Sequence, residues 1–159
     1  MTSEGEFFAA HGYAAVVQDV RGRFASEGTF VPFLNEAGDG FDTMAWLVRQ
    51  PWCNGKVGTM GTSYLACTQA ALATLNPPGL VAQWISQGFS NYHTTRSRRG
   101  GAYEHHRTEW LFRMARDSKE ATADPALHAV VDKAWDQLDR WISLWPMRQG
   151  LNPLSGLPT

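Results

Sequence analysis

The stretch that most constrains this chain is residues 56–67, with the sequence KVGTMGTSYLAC. Residues 56–60 have the length and the Val and Met content of a buried strand, and they follow the turn residues Asn54 and Gly55. Residues 65–75 are rich in Ala and Leu and stop before Asn76, Pro77 and Pro78. The sequence therefore predicts a strand over 56–60 and a helix over 65–75, joined by a very sharp turn.

Ser63 lies in this turn, where the predicted strand gives way to the predicted helix. A turn this sharp lifts the serine hydroxyl clear of its own backbone and turns the first helical amide, on Tyr64, toward an oxyanion. Strand and helix nearly touch at such a turn, and Gly61 supplies the small residue required before the serine. The usual Gly-x-Ser-x-Gly pattern has a second glycine where this chain has Leu65. An ordinary connection in which Ser63 caps the helix is therefore the alternative interpretation.

The flanking residues predict a parallel sheet. A short first helix ends at Gly12, and the continuous apolar run 13–17 has the character of a strand buried on both faces. A helix begins at Asp39 and stops near Pro51, and residues 80–86 form another apolar run of strand length. The resulting βαβαβ order is typical of a parallel sheet covered by helices, so the predicted fold class is α/β.

The last third of the sequence has a helical pattern. Residues 104–114 and 125–145 are predicted to be helices, the second with Asp124 as N-cap and Pro125 at its first position, and no further strand is predicted. These helices are expected to form an insertion over the sheet. The predicted organisation is therefore a core over residues 1–103, followed by the start of a helical region over 104–159.

Composition excludes several classes of function. The net charge is −1, and the basic residues are scattered except for residues 96–99, which are predicted to be a solvated loop, so no nucleic-acid partner is expected. Cys53 and Cys67 lack metal-binding spacing, and no metal or cofactor is predicted. No targeting pattern or long apolar run is present, which favours a cytoplasmic protein that does not associate with membranes.

A serine nucleophile needs a histidine base that a carboxylate orients, and this sequence offers few candidates. Ligands bind beyond the carboxyl ends of the strands in an open parallel sheet, and His93 is the one histidine predicted at that edge. Asp19 is a conceivable orienter for it. The alternative is that His93 is a solvated loop residue and that Asp19 ties a turn-rich loop together with Arg21, Ser26 and Glu27.

The remaining histidines are predicted to be structural. His11 ends the first helix on the wrong side of the sheet, and His105 and His106 begin a later helix as solvated or capping residues. Asp124 and His128 share a helix face at i, i+4 and match the Ser, Asp, His chain order only by accident.

Several segments, in the same order and at compatible spacing, closely resemble the cocaine-esterase-like hydrolases related to Xaa-Pro dipeptidyl-peptidases. The resemblance runs from about residue 7 to residue 101 and rests on these segments: residues 12–14, 17–23, 26–28, 42–47, 52–58 and 61–65. The family has Gly-x-Ser-Tyr-x-Gly at the turn, so Leu65 is expected and the departure is Ala66 in place of the last glycine.

The resemblance implies an α/β-hydrolase fold with Ser63 as nucleophile and the Tyr64 backbone N–H in the oxyanion hole. Family members carry a second oxyanion donor, a tyrosine side chain, upstream of the region matched here. Their triad Asp and His lie on strands well downstream of the helical cap. The chain is therefore expected to be an internal piece of a longer enzyme, from an incomplete gene or a disrupted reading frame.

Two hypotheses follow from this resemblance. In the first, the parent protein is a serine hydrolase that cleaves a small ester, an amide or a short peptide through an acyl-enzyme. In the second, the chain is a non-catalytic remnant that binds or associates through its exposed sheet edge. Neither the identity of the substrate nor the oligomeric state is predicted.

Overall fold

The computed structural model describes residues 2–143, with side chains from residue 4 onward. The chain divides into two units, Met1–Ser90 and Asn91–Thr159. The first unit holds the helices α1 (Thr2–Ala10), α2 (Glu36–Leu47) and α3 (Tyr64–Ala73) and the strands β1 (Val57–Thr62) and β2 (Leu80–Ser86).

The centre of the first unit is a β1–α3–β2 element. β1 pairs in parallel with β2, with Thr59 opposite Gln83 and Met60 opposite Trp84. Parallel neighbours need a crossover connection, and α3 supplies it. The two strands and the helix predicted from residues 56–86 are therefore confirmed within about two residues at each end.

The helices α2 and α3 pack together and form the apolar core of this unit. Met44, Leu47 and Leu72 are buried, with Phe41, Val57 and Leu80 partly buried against them. The approach is close at Gly40, where an added Cβ would lie 3.2 Å from a methyl carbon of Leu72. Met44 and Leu47 are therefore the residues of α2 that are buried in this core.

The prediction of a strand over residues 13–17 is wrong. These residues have no regular secondary structure, and Tyr13 and Val17 are 66% and 59% exposed. A strand requires a neighbour to complete its hydrogen-bond ladder, and the sheet that contains β1 and β2 has two strands among the described residues. The first unit therefore has a βαβ element in place of the predicted βαβαβ core.

The second unit is mainly helical. A π-helical turn at Tyr92–Ser97 leads into a short antiparallel hairpin, β3 (Arg98–Arg99) and β4 (Ala102–Tyr103). Up to Ser143, four helices follow, and their bounds are these: α4 (His106–Arg116), α5 (Lys119–Ala123), α6 (Pro125–Asp136) and α7 (Leu138–Ile142). The buried residues of these helices include Phe112, Val131 and Ala134.

This second unit both confirms and corrects the sequence predictions. Asp124 caps α6, accepting hydrogen bonds from the backbone N–H of Ala126 and Leu127, as predicted. The helix predicted over 125–145 is interrupted at Gln137, and its last two residues lie outside the described part of the chain. The β3–β4 hairpin and α5 were not predicted. The basic run 96–99 is part of the π-helical turn and the hairpin, and is not a loop.

Across residues 2–143, none of the helices combines the length and the apolar character that crossing a membrane requires.

Candidate active site

Ser63 occupies the junction between β1 and α3 in an unusual backbone conformation. Its φ is +60° and its ψ is −113°, which lies outside the regions that L-residues ordinarily adopt. Such a conformation costs about 1–3 kcal/mol and persists only where the surroundings hold it in place. Here the Ser63 N–H donates to the Ser86 carbonyl at 3.0 Å, and the Ser63 carbonyl accepts from Ala66 N–H at 3.1 Å and Cys67 N–H at 3.3 Å.

The Ser63 side chain does not cap α3. An N-cap serine normally has extended backbone angles and accepts a hydrogen bond from an amide two or three residues later. Ser63 has neither the angles nor that hydrogen bond. The interpretation of Ser63 as an ordinary N-cap is therefore wrong, and its hydroxyl is not committed to stabilising the helix.

Close packing of the strand against the helix explains the small residues around this turn. An added Cβ on Gly61 would lie 2.4 Å from the Leu65 Cβ, so no side chain fits at position 61. Ala66 is completely buried, and an added Cβ on Gly88 would lie 3.3 Å from the Ala66 Cβ. The helix and the segment after β2 are thus held close together beneath Ser63.

A buried polar network supports the helix from the sheet side. Gln69 is 4% exposed, and its side chain accepts from the Thr59 hydroxyl at 2.9 Å and donates to the Leu65 carbonyl at 2.9 Å. The Gln83 side chain donates to the Gln69 carbonyl at 2.8 Å. Gln69 is buried and Thr59 and Gln83 are partly buried, so these hydrogen bonds avoid a desolvation penalty and fix α3 relative to both strands.

The Tyr64 side chain is anchored on the far side of the turn. Its hydroxyl donates a hydrogen bond to Glu36 Oε1, and its ring lies 4.5 Å from the Phe33 ring, centre to centre. Burial, together with the hydrogen bond to Glu36, raises the pKa of Tyr64 above its usual range, so the hydroxyl stays protonated. The Tyr64 N–H belongs to the first turn of α3, where amides point away from the helix body along its axis.

Asp19 has a structural role in the loop that follows it. Its carboxylate accepts from the Ala25 N–H at 3.3 Å, and its carbonyl accepts from the Ser26 hydroxyl at 2.7 Å. The Gly22 N–H donates to the Glu27 carbonyl at 2.8 Å. Arg21 pairs with Asp39 of α2 and not with a residue of its own loop. The loop-tying alternative for Asp19 is therefore the one that the contacts support.

The histidines make contacts of a structural kind. His11 bonds to the Phe7 carbonyl at the end of α1, at 2.7 Å. His128 Nδ1 lies 2.9 Å from an oxygen of Asp132, so it pairs with Asp132 and not with Asp124. His93 is exposed in the π-helical turn, and no contact between its ring and a carboxylate occurs among the side chains of residues 4–143.

His106 belongs to a charged cluster around Glu104. The Glu104 carboxylate lies 3.0 Å from Arg99 Nε and 3.6 Å from both His106 Nδ1 and Arg107 Nε. Burial and the charge of Arg107 lower the pKa of His106 below its usual value. In the part of the chain that the structure describes, no group of three His, Cys, Asp or Glu side chains could hold a metal ion.

Sequence reasoning located Ser63 and Gly61 but missed Glu36 and Phe33. Glu36 contacts Tyr64 across 28 positions in the chain, a separation that carries no motif or periodicity. The helix prediction began at Asp39, three residues too late to include Glu36. An acidic residue in the first helical turn is a common signal for a helix start, and it could have placed Glu36 in α2.

Comparison with known proteins identifies a family and several relatives. Residues 1–150 match the sequence model of the X-Pro dipeptidyl-peptidase (S15) family. The chain is similar to the cocaine esterase of Rhodococcus sp., with 49% identity over 75 residues, which cover 47% of this chain and 13% of that protein. Two mycobacterial proteins named "Putative serine esterase", from Mycobacterium bovis and Mycobacterium tuberculosis, are each 48% identical over 71 residues.

The aligned segments cover 43% of this chain and 11% of each mycobacterial protein, so the chain spans a small part of the length of these relatives. The family match, in contrast, covers most of the chain and includes Ser63, Tyr64 and the whole of β1, α3 and β2. On that match, the chain belongs to the X-Pro dipeptidyl-peptidase (S15) family.

Proposed function

We propose that this chain carries the nucleophile of a serine hydrolase that cleaves esters, amides or short peptides through an acyl-enzyme. Ser63 is the nucleophile and the Tyr64 backbone N–H is an oxyanion donor. The observation that carries the proposal is the backbone of Ser63, with φ at +60° on a strand-to-helix junction and a hydroxyl that does not cap the helix. A strained serine at a strand-to-helix junction supports the proposal that this turn is a nucleophile elbow.

The reaction would proceed in two steps, the formation of the acyl-enzyme and its hydrolysis. Ser63 Oγ attacks the substrate carbonyl while a histidine takes its proton, and the oxyanion that forms accepts a hydrogen bond from the Tyr64 N–H. The leaving alcohol or amine then takes the proton as the carbon–oxygen or carbon–nitrogen bond breaks. A water molecule, deprotonated by the same histidine, attacks the acyl-enzyme. The bond between the acyl carbon and Ser63 Oγ then breaks, Oγ takes the proton back from the histidine, and the acid is released.

The histidine and the aspartate that orients it are proposed to come from polypeptide outside this chain. The first unit contains one histidine, His11, and its ring bonds to a carbonyl within α1. The aligned segment covers 13% of the cocaine esterase, so the remainder of such a protein has room for both groups and for a second oxyanion donor.

The fold proposal follows from the same reasoning. We propose that residues 1–103 are part of an α/β-hydrolase core and that residues 104–159 begin a helical cap over the substrate. The parallel β1–α3–β2 element supports the first part, and the helices of the second unit support the cap. Substrate choice would then depend on side chains of the cap, so the substrate class stays at ester, amide or short peptide.

A chimera tests the proposal. Residues 1–150 of this chain, which include Ser63, would replace the segment of a complete S15-family hydrolase that matches the same part of the family model, and hydrolysis of an activated aryl ester would be measured. We expect Ser63→Ala to lower turnover by about a million-fold, as triad losses do in other serine hydrolases. Thr74→Ala, which removes a hydroxyl at the opposite end of α3, should leave turnover within a few-fold. Comparable turnover in the Ser63→Ala chimera would refute the assignment.

A second candidate is a non-catalytic remnant that associates through its sheet. The observation that favours it is the sheet face opposite α3, where Met60 and Trp84 are adjacent, and 40% and 58% exposed. Apolar surface of this kind promotes association. The chimera distinguishes the two candidate functions. If the chain is a non-catalytic remnant, the chimera will fold but will show no ester hydrolysis that Ser63→Ala removes.

A further inference from the structure

A hydrogen-bonded link joins the start of α2 to the first residue of α3. Glu36, the first residue of α2, accepts the Tyr64 hydroxyl on Oε1. The same oxygen accepts from the Phe33 N–H at 3.2 Å, and that N–H also lies 3.1 Å from the Tyr64 hydroxyl oxygen. Each of the three groups, Glu36 Oε1, the Tyr64 hydroxyl and the Phe33 N–H, is therefore within hydrogen-bond distance of the other two.

Two strained backbones lie at the ends of this arrangement. Phe33 has a φ of +64° and Ser63, next to Tyr64, has a φ of +60°. Residues other than glycine seldom adopt positive φ, so each position needs outside contacts to stay in place. The Phe33 N–H and the Tyr64 hydroxyl both meet at Glu36 Oε1, which connects the two strained positions through a single acceptor.

The surroundings make this contact a strong one. Tyr64 is half-buried and its ring is flanked by Phe33 at 4.5 Å and Phe30 at 6.1 Å between ring centres. Hydrogen bonds to a charged acceptor are stronger than neutral ones, and low exposure strengthens them further. The negative charge of Glu36 is also favourable at the N-terminus of α2.

The other carboxylate oxygen shows that this contact is the main polar interaction of Glu36. Oε2 is buried and has no hydrogen-bond partner among the described residues. A half-satisfied buried carboxylate is unfavourable for stability, and such groups call for an explanation in function or conformation. Helix capping does not provide one, because the N-cap position of α2 is Asn35 and no side-chain capping bond is made there.

We propose that Glu36 is a positioning residue for the turn at Ser63, acting through the Tyr64 hydroxyl to hold the Tyr64 amide where an oxyanion would lie. The inference rests on the proposed function for its chemical meaning. The structural claim, that the contact holds the turn, can be tested on the 159-residue chain without any hydrolysis.

The test is amide hydrogen exchange of the full chain, measured by NMR. The Ala66 and Cys67 N–H groups, which both donate to the Ser63 carbonyl, report opening of the turn. The Val57 N–H, which donates to the Gly79 carbonyl at 2.7 Å, reports general opening at the other end of β1. Comparing the exchange rates of the Ala66 and Cys67 amides with that of the Val57 amide distinguishes local opening of the turn from general loss of structure.

Five variants are compared with the parent chain, and one of them is the double variant that combines Glu36→Ala with Tyr64→Phe. Glu36→Ala removes the acceptor of the hydrogen bond, and Tyr64→Phe removes only the donor hydroxyl. If Glu36→Ala fails to fold, the Tyr64→Phe variant still tests the contact. Glu36→Gln keeps an acceptor oxygen at the same place. Glu27→Ala is the matched control, because Glu27 is exposed in the same unit and only its backbone is used in the loop.

We expect Glu36→Ala and Tyr64→Phe each to accelerate exchange at Ala66 and Cys67 by about tenfold or more, and the double variant to add little. Exchange at Val57 should change less than about twofold, and Glu36→Gln should restore most of the protection at the turn. Equal acceleration at all three amides would mean that Glu36 is only a stabilising residue and would overturn the proposal. Unchanged exchange at Ala66 and Cys67 would overturn it as well. Failure of the proposed hydrolysis would appear separately, in the Ser63→Ala chimera.

Discussion

Gly61 and Leu65 lie so close together that a Cβ added to Gly61 would come within 2.4 Å of the Leu65 Cβ. The same added atom would lie 3.1 Å from the Leu65 carbonyl carbon and oxygen. Since backbone atoms cannot move aside as the end of a flexible side chain can, the helix would have to shift away from β1. The turn that presents Ser63 therefore depends on the absence of a side chain two residues earlier.

Gly61→Ala should lower the free energy of unfolding by about 1–3 kcal/mol or more, because the added methyl group is overpacked. Gly38→Ala is the matched control, since Gly38 lies within α2 and an added Cβ there meets nothing within 4 Å. That change should raise the unfolding free energy by about 0.5–1 kcal/mol through helix propensity. Urea unfolding of the parent chain and the two variants would measure these differences in stability. Equal stability of the Gly61→Ala chain and the parent would contradict the close packing of β1 against α3.

Ala66 gives a second test of the same contact. Ala66→Gly should be tolerated sterically and cost at most about 1 kcal/mol of helix propensity. Ala66→Leu should cost roughly 1–3 kcal/mol, because Ala66 is completely buried and Gly88 packs so closely against it that even a Cβ added to Gly88 would lie 3.3 Å from the Ala66 Cβ. Thermal unfolding of the two variants measures this. A leucine variant as stable as the parent would show that α3 and the segment after β2 are not packed in this way.

The elements around Ser63 could be predicted from sequence because their signals are local. A turn, an apolar strand, Gly61, Ser63 and an alanine-rich helix follow each other within a few residues, and each carries its own physical preference. The bounds of β2 agree with the predicted run 80–86. The strained φ of Ser63 itself could not be derived, since it results from how α3 packs on both strands.

Other features depend on partners that the sequence pattern does not identify. The apolar character of residues 13–17 predicts burial, yet Tyr13 and Val17 are exposed because no strand pairs with this run in the described part of the chain. The β3–β4 hairpin was missed although Gly100 and Gly101, with φ of +59° and +87°, are a recognised turn signal. Its two-residue strands are too short for alternation to be visible.

The 159-residue chain alone should be catalytically silent. Without a base, the Ser63 hydroxyl keeps an ordinary, weakly nucleophilic character, and one amide donor stabilises an oxyanion incompletely. Purified chain would be incubated with an activated aryl ester. Turnover above background that disappears in Ser63→Ala would contradict this expectation and would return His93 and Asp19 to consideration as a base and its orienter.

Self-association of the same chain is a separate expectation. The open edges of the β1–β2 sheet and the exposed Met60 and Trp84 favour contacts between copies. Light scattering across a concentration series should show species larger than the monomer. Met60→Lys places a charge on that face and should shift the distribution toward monomer, whereas Lys133→Met, a change in the second unit, should not.

Acid should destabilise the second unit slightly through His106, whose side chain is 52% exposed, so that solvent screens the effect. Burial, followed by the charge of Arg107, lowers the pKa of His106 below its ordinary value of 6.5, so the folded state holds this proton less tightly than the unfolded state. The stability associated with neutral His106 is therefore present above about pH 6.5 and is lost as the pH falls below it. Melting temperatures at pH 7.5 and 5.5 should differ less in His106→Gln than in the parent or in His11→Gln. An unchanged difference in His106→Gln would exclude this residue as the cause.

The most direct test of the central claim is the site at which a fluorophosphonate attaches to the chimera. The serine oxygen displaces fluoride from phosphorus, so a single covalent adduct marks the nucleophile. The account predicts an adduct on the peptide that contains Ser63, found by mass spectrometry, absent from Ser63→Ala and unaffected by Thr74→Ala. An adduct on a different residue, with Ser63 unmodified in a chimera that hydrolyses the ester, would contradict the assignment of Ser63 as the nucleophile.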